Sequence, residues 1–261
     1  MLVDSHCHLD FDDFKEDFPE MLARAADAGV DTMVTINTRI AKFPTVLAIA
    51  EAHDNIYCTV GVHPHSAQDE PDVTTEQLIE LASNPKVIGI GETGLDFFYD
   101  TSPRDIQETL FRYHIRAARE TGLPIIVHTR DADDDCLRIL EEEQAIGAFP
   151  GLIHCFTASR ELAERSVAMG FYISLSGIVT FKNAADIGES VKAVVPIERI
   201  LVETDSPYLA PMPHRGKRNE PSYTAHTARF LANLLDRDYK DFAAQTTDNF
   251  YTLFTKAIRP T

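Results

Sequence analysis

Eight short, nearly continuous apolar runs alternate with longer amphipathic stretches along this chain of 261 residues. The runs are rich in Val and Ile, as strands are when both faces of a sheet are buried. Strands are predicted over residues 2–5, 32–36, 56–62, 87–91, 124–127, 152–154, 171–175 and 200–203. Because strands that alternate with helices form parallel βαβ units, this rhythm predicts an α/β fold.

The stretches between these runs have the residue spacing of helices. Leu110, His114 and Ala117 fall on one helical face. Pro103 and Gly122 bracket this helix, and such residues typically begin and end helices. Other helical patterns cover residues 23–29, 161–170, 223–235 and 241–254. Three histidines in helical patterns are predicted to be ordinary helix residues: His53, His114 and His226.

The length of the chain suits one large α/β architecture. About 250 residues is the typical size of a (β/α)8 TIM barrel. The competing architecture is an open doubly wound sheet, but its usual G-x-G-x-x-G pattern does not follow the first predicted strand. Residues 1–261 are therefore predicted to form a single (β/α)8 barrel domain.

Charge and cysteine usage narrow the function and the compartment. The formal net charge of −17 argues against nonspecific wrapping of nucleic acid. It permits a phosphate substrate at a metal site, where the ions supply positive charge. No apolar stretch approaches the ~20 residues of a membrane span, the first residues lack a signal-peptide pattern, and the four cysteines form no CxxC pair. We expect a cytoplasmic protein without disulfides, membrane association or an obligate protein partner.

Side chains that bind metals stand at the carboxyl ends of most predicted strands. His6 and His8 lie two residues apart, so a strand places them on one face. Later strand ends carry His63, Glu92, His128, His154, Glu203 and Asp205. Since the carboxyl ends of all barrel strands open onto one mouth, we expect these side chains to meet there.

Four histidines and two carboxylates exceed what one tetrahedral ion needs. They suit two divalent ions about 3.5–4 Å apart that share a bridging carboxylate. Glu92 is the natural bridge, because a carboxylate has two oxygens to share. The predicted ligands of the two ions are His6, His8 and Asp205 for one, and His128 and His154 for the other. Histidine ligands favour Zn²⁺ or Mn²⁺, whereas phosphoryl chemistry often runs on Mg²⁺.

Three residues of this set receive further roles. Asp205 is predicted to hold the nucleophilic water and to accept its proton. His63 is not needed as a ligand, so it is free to bond a phosphate oxygen or the leaving group. Glu203 points away from Asp205 if the strand still alternates there, and a supporting part suits it better. Glycines flank Glu92 and allow a close backbone approach: Gly89, Gly91 and Gly94.

The densest basic cluster of this acidic chain follows the eighth predicted strand. It contains His214, Arg215, Lys217 and Arg218. Phosphate sites often form in this part of a barrel, and Arg215 could hold a phosphate with two N–H groups. A solvated charged loop is the alternative. Arg215 and Lys217 are predicted to bind substrate, as is Arg130 beside His128.

Aromatic residues follow Glu92 in a predicted loop. Phe97, Phe98 and Tyr99 are consecutive there. They could stack nucleobases or simply cap the barrel, and the sequence leaves both open.

An ordered set of motifs from residue 4 to residue 221 resembles one known family. The matching pieces are DSHCHL at 4–9, GVHP at 61–64, GETGLD at 91–96, VHTR at 127–130, HCF at 154–156, VETDSPYLAP at 202–211 and PHRGKRNEP at 213–221. On these motifs the chain resembles the TatD family of metal-dependent hydrolases and deoxyribonucleases, in particular its YcfH-type members, among the amidohydrolase-like barrels.

The resemblance implies a barrel of the metal-dependent hydrolase type with a complete ligand set. The family's pattern falls on His6, His8, Glu92, His128, His154 and Asp205. It implies two divalent metal ions, Mg²⁺, Mn²⁺ or Zn²⁺, and a deoxyribonuclease that trims single-stranded DNA from the 3′ end. The expected partner is therefore DNA or another phosphodiester substrate.

Two other interpretations of the function remain. One is a hydrolase on the same barrel that cleaves an ester, amide, lactone or aminoacyl-tRNA bond. Many related barrels bridge their ions with a carboxylated lysine, and residues 124–128 contain no lysine, which favours the nuclease. The other is a noncatalytic metal-binding protein, against which the complete ligand set argues.

Overall fold

The computed structural model describes residues 1–260, and within them eight parallel strands follow one another around a single sheet. The strands are β1 (Leu2–Cys7), β2 (Val30–Thr35), β3 (Ile56–Val60), β4 (Val87–Asp96), β5 (Ile125–Arg130), β6 (Gly151–Ile153), β7 (Tyr172–Leu175) and β8 (Ile200–Val202). A parallel bridge from Cys7 to Ser206 joins the end of β1 to the segment after β8. The sheet is a nearly closed barrel, which confirms the predicted (β/α)8 fold.

Helices pack around this sheet. They are α1 (Phe18–Asp27), α2 (Phe43–Ala52), α3 (Thr75–Ala82), α4 (Arg104–Thr121), α5 (Asp133–Ile146), α6 (Arg160–Ala168), α7 (Ala185–Val194), α8 (Thr224–Leu234) and α9 (Tyr239–Leu253). The helix between Pro103 and Gly122 is confirmed, and Gly122 ends it with a φ of +71°. Across residues 1–260, every helix is too short or too polar to span a bilayer.

The barrel interior is filled near the amino ends of the strands. One buried side chain from each strand contributes to this layer: Val3, Val34, Tyr57, Ile88, Ile126, Leu152, Tyr172 and Leu201. Phe250, Leu253 and Phe254, at the end of α9, pack against the same layer. Apolar side chains therefore close the amino end of the barrel, and its open mouth lies at the carboxyl ends of the strands.

Four strands end two or more residues away from the predicted end, and the first of them, β1, runs on to Cys7 instead of Ser5. β3 ends at Val60 instead of Val62, because the Val62 N–H donates to His114 Nε2 and leaves the strand ladder. β4 and β5 run on to Asp96 and Arg130, which pair with each other. Glu92 and His128 consequently lie inside strands and do not follow them.

β4 depends on glycine where it passes its neighbours. Gly94 has a φ of +138°, and a Cβ there would overlap the carbonyl oxygen of His128. A Cβ on Gly61 of the preceding segment would lie 2.5 Å from the Cα of Gly91. Glycine at these positions lets the backbone that carries Glu92 approach both neighbouring segments.

Candidate metal centre

The Glu92 carboxylate lies at the centre of the mouth, among four histidine rings. Its Oε1 is 2.9 Å from His154 Nε2 and 3.1 Å from His128 Nδ1. The same oxygen lies 3.4 Å from His63 Nε2, and the other oxygen, Oε2, lies 3.4 Å from His6 Nε2. Both carboxylate oxygens thus face imidazole nitrogens from different strands.

Asp205 completes one side of this cluster. Its Oδ1 is 3.3 Å from His8 Nε2 and 3.6 Å from His6 Nε2. The backbone fixes this approach, because Asp205 N donates to His6 O and His8 N donates to Ser206 O, both at 2.9 Å. The end of β1 and the segment after β8 are therefore bonded together where their functional side chains meet.

Three sets of side chains bring potential ligand atoms within 4.8 Å of one another. They are His6, His8 and Glu92; His6, His154 and Asp205; and His63, Glu92 and His128. His154 therefore lies beside the predicted His6, His8 and Asp205 group as well as near His128. His63, which the sequence leaves out of the ligand set, belongs to one of the three sets. Its signal is the one that marked the others, a histidine that closes an apolar run.

The unpartnered nitrogens of the site fit a divalent metal ion. Within residues 1–260, both ring nitrogens of the fully buried His6 and the Nδ1 of His8 lack hydrogen-bond partners. A buried polar atom without a hydrogen-bond partner costs about 1–3 kcal/mol of folding free energy. Coordination of an ion by such a nitrogen would supply the missing partner. Imidazole nitrogens and carboxylate oxygens together are the donor set of Zn²⁺ and Mn²⁺ sites.

Glu203 supports the site from behind His154. Its Oε1 lies 3.2 Å from His154 Nδ1 and accepts the Cys155 N–H at 2.7 Å. Its Oε2 accepts a hydrogen bond from the Ser174 hydroxyl. Carboxylates in this position fix the orientation of a histidine ligand. Glu203 thus contacts the Nδ1 edge of the His154 ring, while the Nε2 edge of the same ring faces Glu92.

Asp96 performs the equivalent task for His128, although the sequence does not predict it for the site. Its Oδ2 is 3.0 Å from His128 Nε2 and 2.8 Å from His65 Nε2. Its Oδ1 accepts backbone N–H groups from Phe98 and Tyr99. The one signal in the sequence is its place at the end of the motif that begins at Gly91.

Asp4 is a second buried carboxyl that sequence reasoning misses. It accepts bonds from Thr204 N at 2.9 Å and from Thr204 Oγ1 at 2.6 Å. Burial raises the pKa of Asp4 to about 8, although these bonds to Thr204 lower it in part. The residue joins β1 to the segment that presents Asp205.

Burial and mutual contacts set the charges of the cluster. Burial alone would raise the pKa of Glu92, but His154, His63 and His6 hold that pKa well below its usual range. Burial likewise opposes charge on His154, yet Glu92 and Glu203 hold its pKa well above the ordinary value. The Glu92 carboxyl is therefore ionised.

The pKa of His63 is lowered, whereas the pKa values of His128 and His154 are raised. Burial lowers the pKa of His63 to about 4. Its Nδ1 accepts the backbone N–H of His65 at 3.1 Å, so the proton of the neutral ring stands on Nε2. His63 thus presents an N–H group beside Glu92.

A cavity of about 900 Å³ opens above the cluster. Its lining includes five of the six predicted ligands, His63 and Arg130, while His6 lies beneath. Arg215 and Lys217 are exposed outside this lining, and the Arg215 guanidinium stacks 4.4 Å from the Phe181 ring centroid. Arg218 pairs with Asp17 at 2.7 Å, so it belongs to a structural ion pair. The structure brings Arg130 to the mouth and leaves the basic loop outside the cavity.

Comparison with known proteins identifies the family. A family model described as TatD related DNase matches residues 3–255. This chain belongs to the TatD family of metal-dependent hydrolases. The predicted family is thereby confirmed.

Full-length relatives of this TatD-family chain include proteins with and without a named activity. It is 43% identical over 256 residues to YcfH of Escherichia coli (strain K12), named an uncharacterized metal-dependent hydrolase, covering 97% of this chain and 95% of YcfH. It is 34% identical to a protein of Shigella flexneri serotype 5b (strain 8401) named 3′-5′ ssDNA/RNA exonuclease TatD, covering 97% and 98%. The crystal structure of YJJV, a TatD homologue of Escherichia coli K12, superposes with a TM-score of 0.90 at 31% identity, covering 97% and 98%.

Proposed function

We propose that this TatD-family chain is a divalent-metal-dependent phosphodiesterase that removes nucleotides from the 3′ end of single-stranded DNA. The observation that carries the proposal is the convergence of four histidines and two carboxylates on one mouth, with buried ring nitrogens that lack partners. The name of the Shigella relative, an exonuclease of single-stranded DNA and RNA, supports the choice of substrate.

Two groups of residues would hold two ions and share Glu92. His6, His8 and Asp205 stand on one side of that carboxylate, and His128 and His154 on the other. His63 lies beside the second group, but we assign its Nε2–H to the substrate and not to an ion. When bound, such ions supply hydroxide near neutral pH and neutralise charge on a phosphoryl oxygen.

Asp205 is our candidate for the general base. Its side chain is 15% exposed and faces the cavity, whereas His6 beneath it is fully buried. Burial would raise the pKa of Asp205, but the bond with His8 and the neighbouring His6 and His154 rings lower it. The carboxylate is therefore free of its proton and able to accept one from water.

His63 and Arg130 are our candidates for contacts with the substrate phosphate. The Nε2–H of His63 can donate to a phosphate oxygen or to the leaving oxygen. Arg130 lines the same cavity, and within residues 1–260 its guanidinium forms no ion pair. The chain as a whole carries a net charge of −17. An arginine without an ion pair at the mouth supplies the local positive charge that attracts a phosphate. Arg215 and Lys217 lie outside the cavity lining. We therefore assign them to contacts with the part of the DNA that extends beyond the cavity.

Digestion of end-labelled single-stranded DNA with Mg²⁺, Mn²⁺ or Zn²⁺ tests this function. A 3′ label should appear in mononucleotides at once, whereas a 5′ label should pass through a ladder of shortened strands. A chelator should stop the reaction, and a 3′-terminal phosphorothioate should slow it. Intact DNA with every metal, together with turnover of an ester, lactone or aminoacyl-tRNA panel, would refute the nuclease and favour the other hydrolase.

A further inference from the structure

Two consecutive aromatic rings stand exposed beside the mouth, where Tyr208 of the cavity lining is also 54% exposed. Phe98 is 53% exposed and Tyr99 is 54% exposed. Phe97, the third aromatic of the same loop, is only half-buried but packs against the core, with the Arg104 guanidinium 4.0 Å from its ring centroid. Phe97 therefore caps the barrel, whereas Phe98 and Tyr99 do not.

Asp96, which contacts His128 of the candidate metal centre, fixes the backbone that carries these two rings. The Oδ1 of Asp96 accepts the N–H groups of Phe98 at 3.1 Å and Tyr99 at 2.9 Å. The Oδ2 of the same carboxylate contacts His128 and His65. The Tyr99 ring meets the His65 ring edge-on, with centroids 5.0 Å apart. A ring fixed relative to a ligand histidine can receive a substrate group with little loss of freedom.

Arg130 joins the two rings into one surface. Its guanidinium carbon lies 3.8 Å from the Phe98 centroid and 4.8 Å from the Tyr99 centroid. Tyr99 and Arg130 both line the cavity above the metal centre. We call these three residues, Phe98, Tyr99 and Arg130, the aromatic shelf. It combines an exposed ring face with a cation at the edge of the candidate catalytic cavity.

We propose that the aromatic shelf stacks an unpaired nucleobase next to the phosphate held at the metal centre. Every base presents a π-face, and stacking on an aromatic ring is how proteins hold single strands without reading sequence. A base inside a duplex is already stacked on its neighbours, so the shelf favours single-stranded ends. This inference rests on the proposed nuclease function and names the contact that selects its substrate.

The surface beyond Arg130 limits how far a strand can extend. A second cavity of about 540 Å³ shares Thr129, Arg130 and Thr157 with the mouth. Its lining carries four carboxylates: Asp131, Asp133, Asp134 and Asp135. These charges repel a phosphate chain. The shelf therefore takes one or two terminal bases and does not guide a long strand.

The first test compares a single-stranded oligonucleotide with one whose two 3′-terminal nucleotides lack bases. Wild type should prefer the base-containing strand about tenfold in kcat/KM, as one stacked base provides. Tyr99→Ala should lose most of this preference, and Tyr99→Phe should keep it. The control is Phe230→Ala, an exposed phenylalanine of α8 outside the cavity lining. An unchanged preference in Tyr99→Ala would overturn the proposal.

A second measurement needs no turnover. A 3′-terminal 2-aminopurine, protected by a phosphorothioate, should lose fluorescence when it binds wild type or Tyr99→Phe, because stacking quenches it. Quenching should be lost in Tyr99→Ala, and equal quenching in that variant would refute the shelf. If wild type cleaves no DNA, the proposed function fails, and the quenching still decides whether the shelf binds a base.

Discussion

His114 is a buried histidine whose titration should control stability in mild acid. The sequence predicts an ordinary helix residue, but the side chain is fully buried in α4. Its Nδ1 donates to Leu110 O at 2.7 Å, and its Nε2 accepts the Val62 N–H at 3.0 Å. The ring must be neutral to make both bonds, and burial lowers the pKa of His114 to about 4.

The sign of the effect follows from this lowered pKa. In the unfolded chain, His114 binds a proton as the pH falls below its ordinary pKa of 6.5. In the folded chain, it stays neutral until the pH approaches its lowered pKa of about 4. The stabilisation is therefore fully present above pH 6.5 and is lost as the pH falls toward 4. Between about pH 7.5 and about pH 5, the loss at this site amounts to roughly 2 kcal/mol.

Urea unfolding of wild type and His114→Gln measures this loss. Glutamine keeps polar atoms in the pocket but takes up no proton, so any constant cost cancels between the two pH values. With chelator present throughout, wild type should lose about 2 kcal/mol more than the variant on acidification. His53→Gln, at the partly exposed end of α2, should behave as wild type. Equal losses in wild type and His114→Gln would refute the reasoning.

Four further substitutions test how the site is held and how it contacts its substrate. Gly94→Ala should cost more than about 1 kcal/mol of stability and lower activity, because the new methyl would overlap His128 O; a thermal melt and turnover as in wild type would contradict this. Glu203→Gln should weaken Mn²⁺ binding about 10- to 100-fold with the fold intact, because the His154 ring loses the carboxylate that orients it. Calorimetric titration measures the Mn²⁺ affinity, and an unchanged affinity would exclude this orienting role of Glu203. Arg130→Ala should raise KM for a phosphodiester about tenfold, as a lost charge-assisted bond does, and Arg215→Ala should raise it less; equal effects would contradict the different positions of the two arginines.

The sequence predicts those parts of the molecule that depend on local patterns. Apolar runs and helix-stop residues indicate the strands and helices, and parallel strands bring their carboxyl ends together whatever the loops do. That is why His6, His128 and Glu92 could be expected at one mouth before any distance was known.

The remaining features depend on contacts between residues far apart in the chain. β4 runs on to Asp96 because Asp96 pairs with Arg130 across the sheet. Arg218 forms an ion pair with Asp17, which lies 201 residues away in the chain. Whether Arg215 reaches the mouth depends on the conformation of its loop, which no residue pattern specifies. His63 joins a ligand set because of the direction of its side chain, and spacing alone leaves that direction open.

Metal content tests the central claim, that these side chains form one two-ion centre joined by Glu92. Equilibrium dialysis against Mn²⁺, followed by elemental analysis, should give about two ions per wild-type chain. Glu92→Ala should lose bound metal and DNA cleavage together, whereas Glu161→Ala, an exposed glutamate of α6, should retain both. Wild-type metal content in Glu92→Ala would contradict the claim.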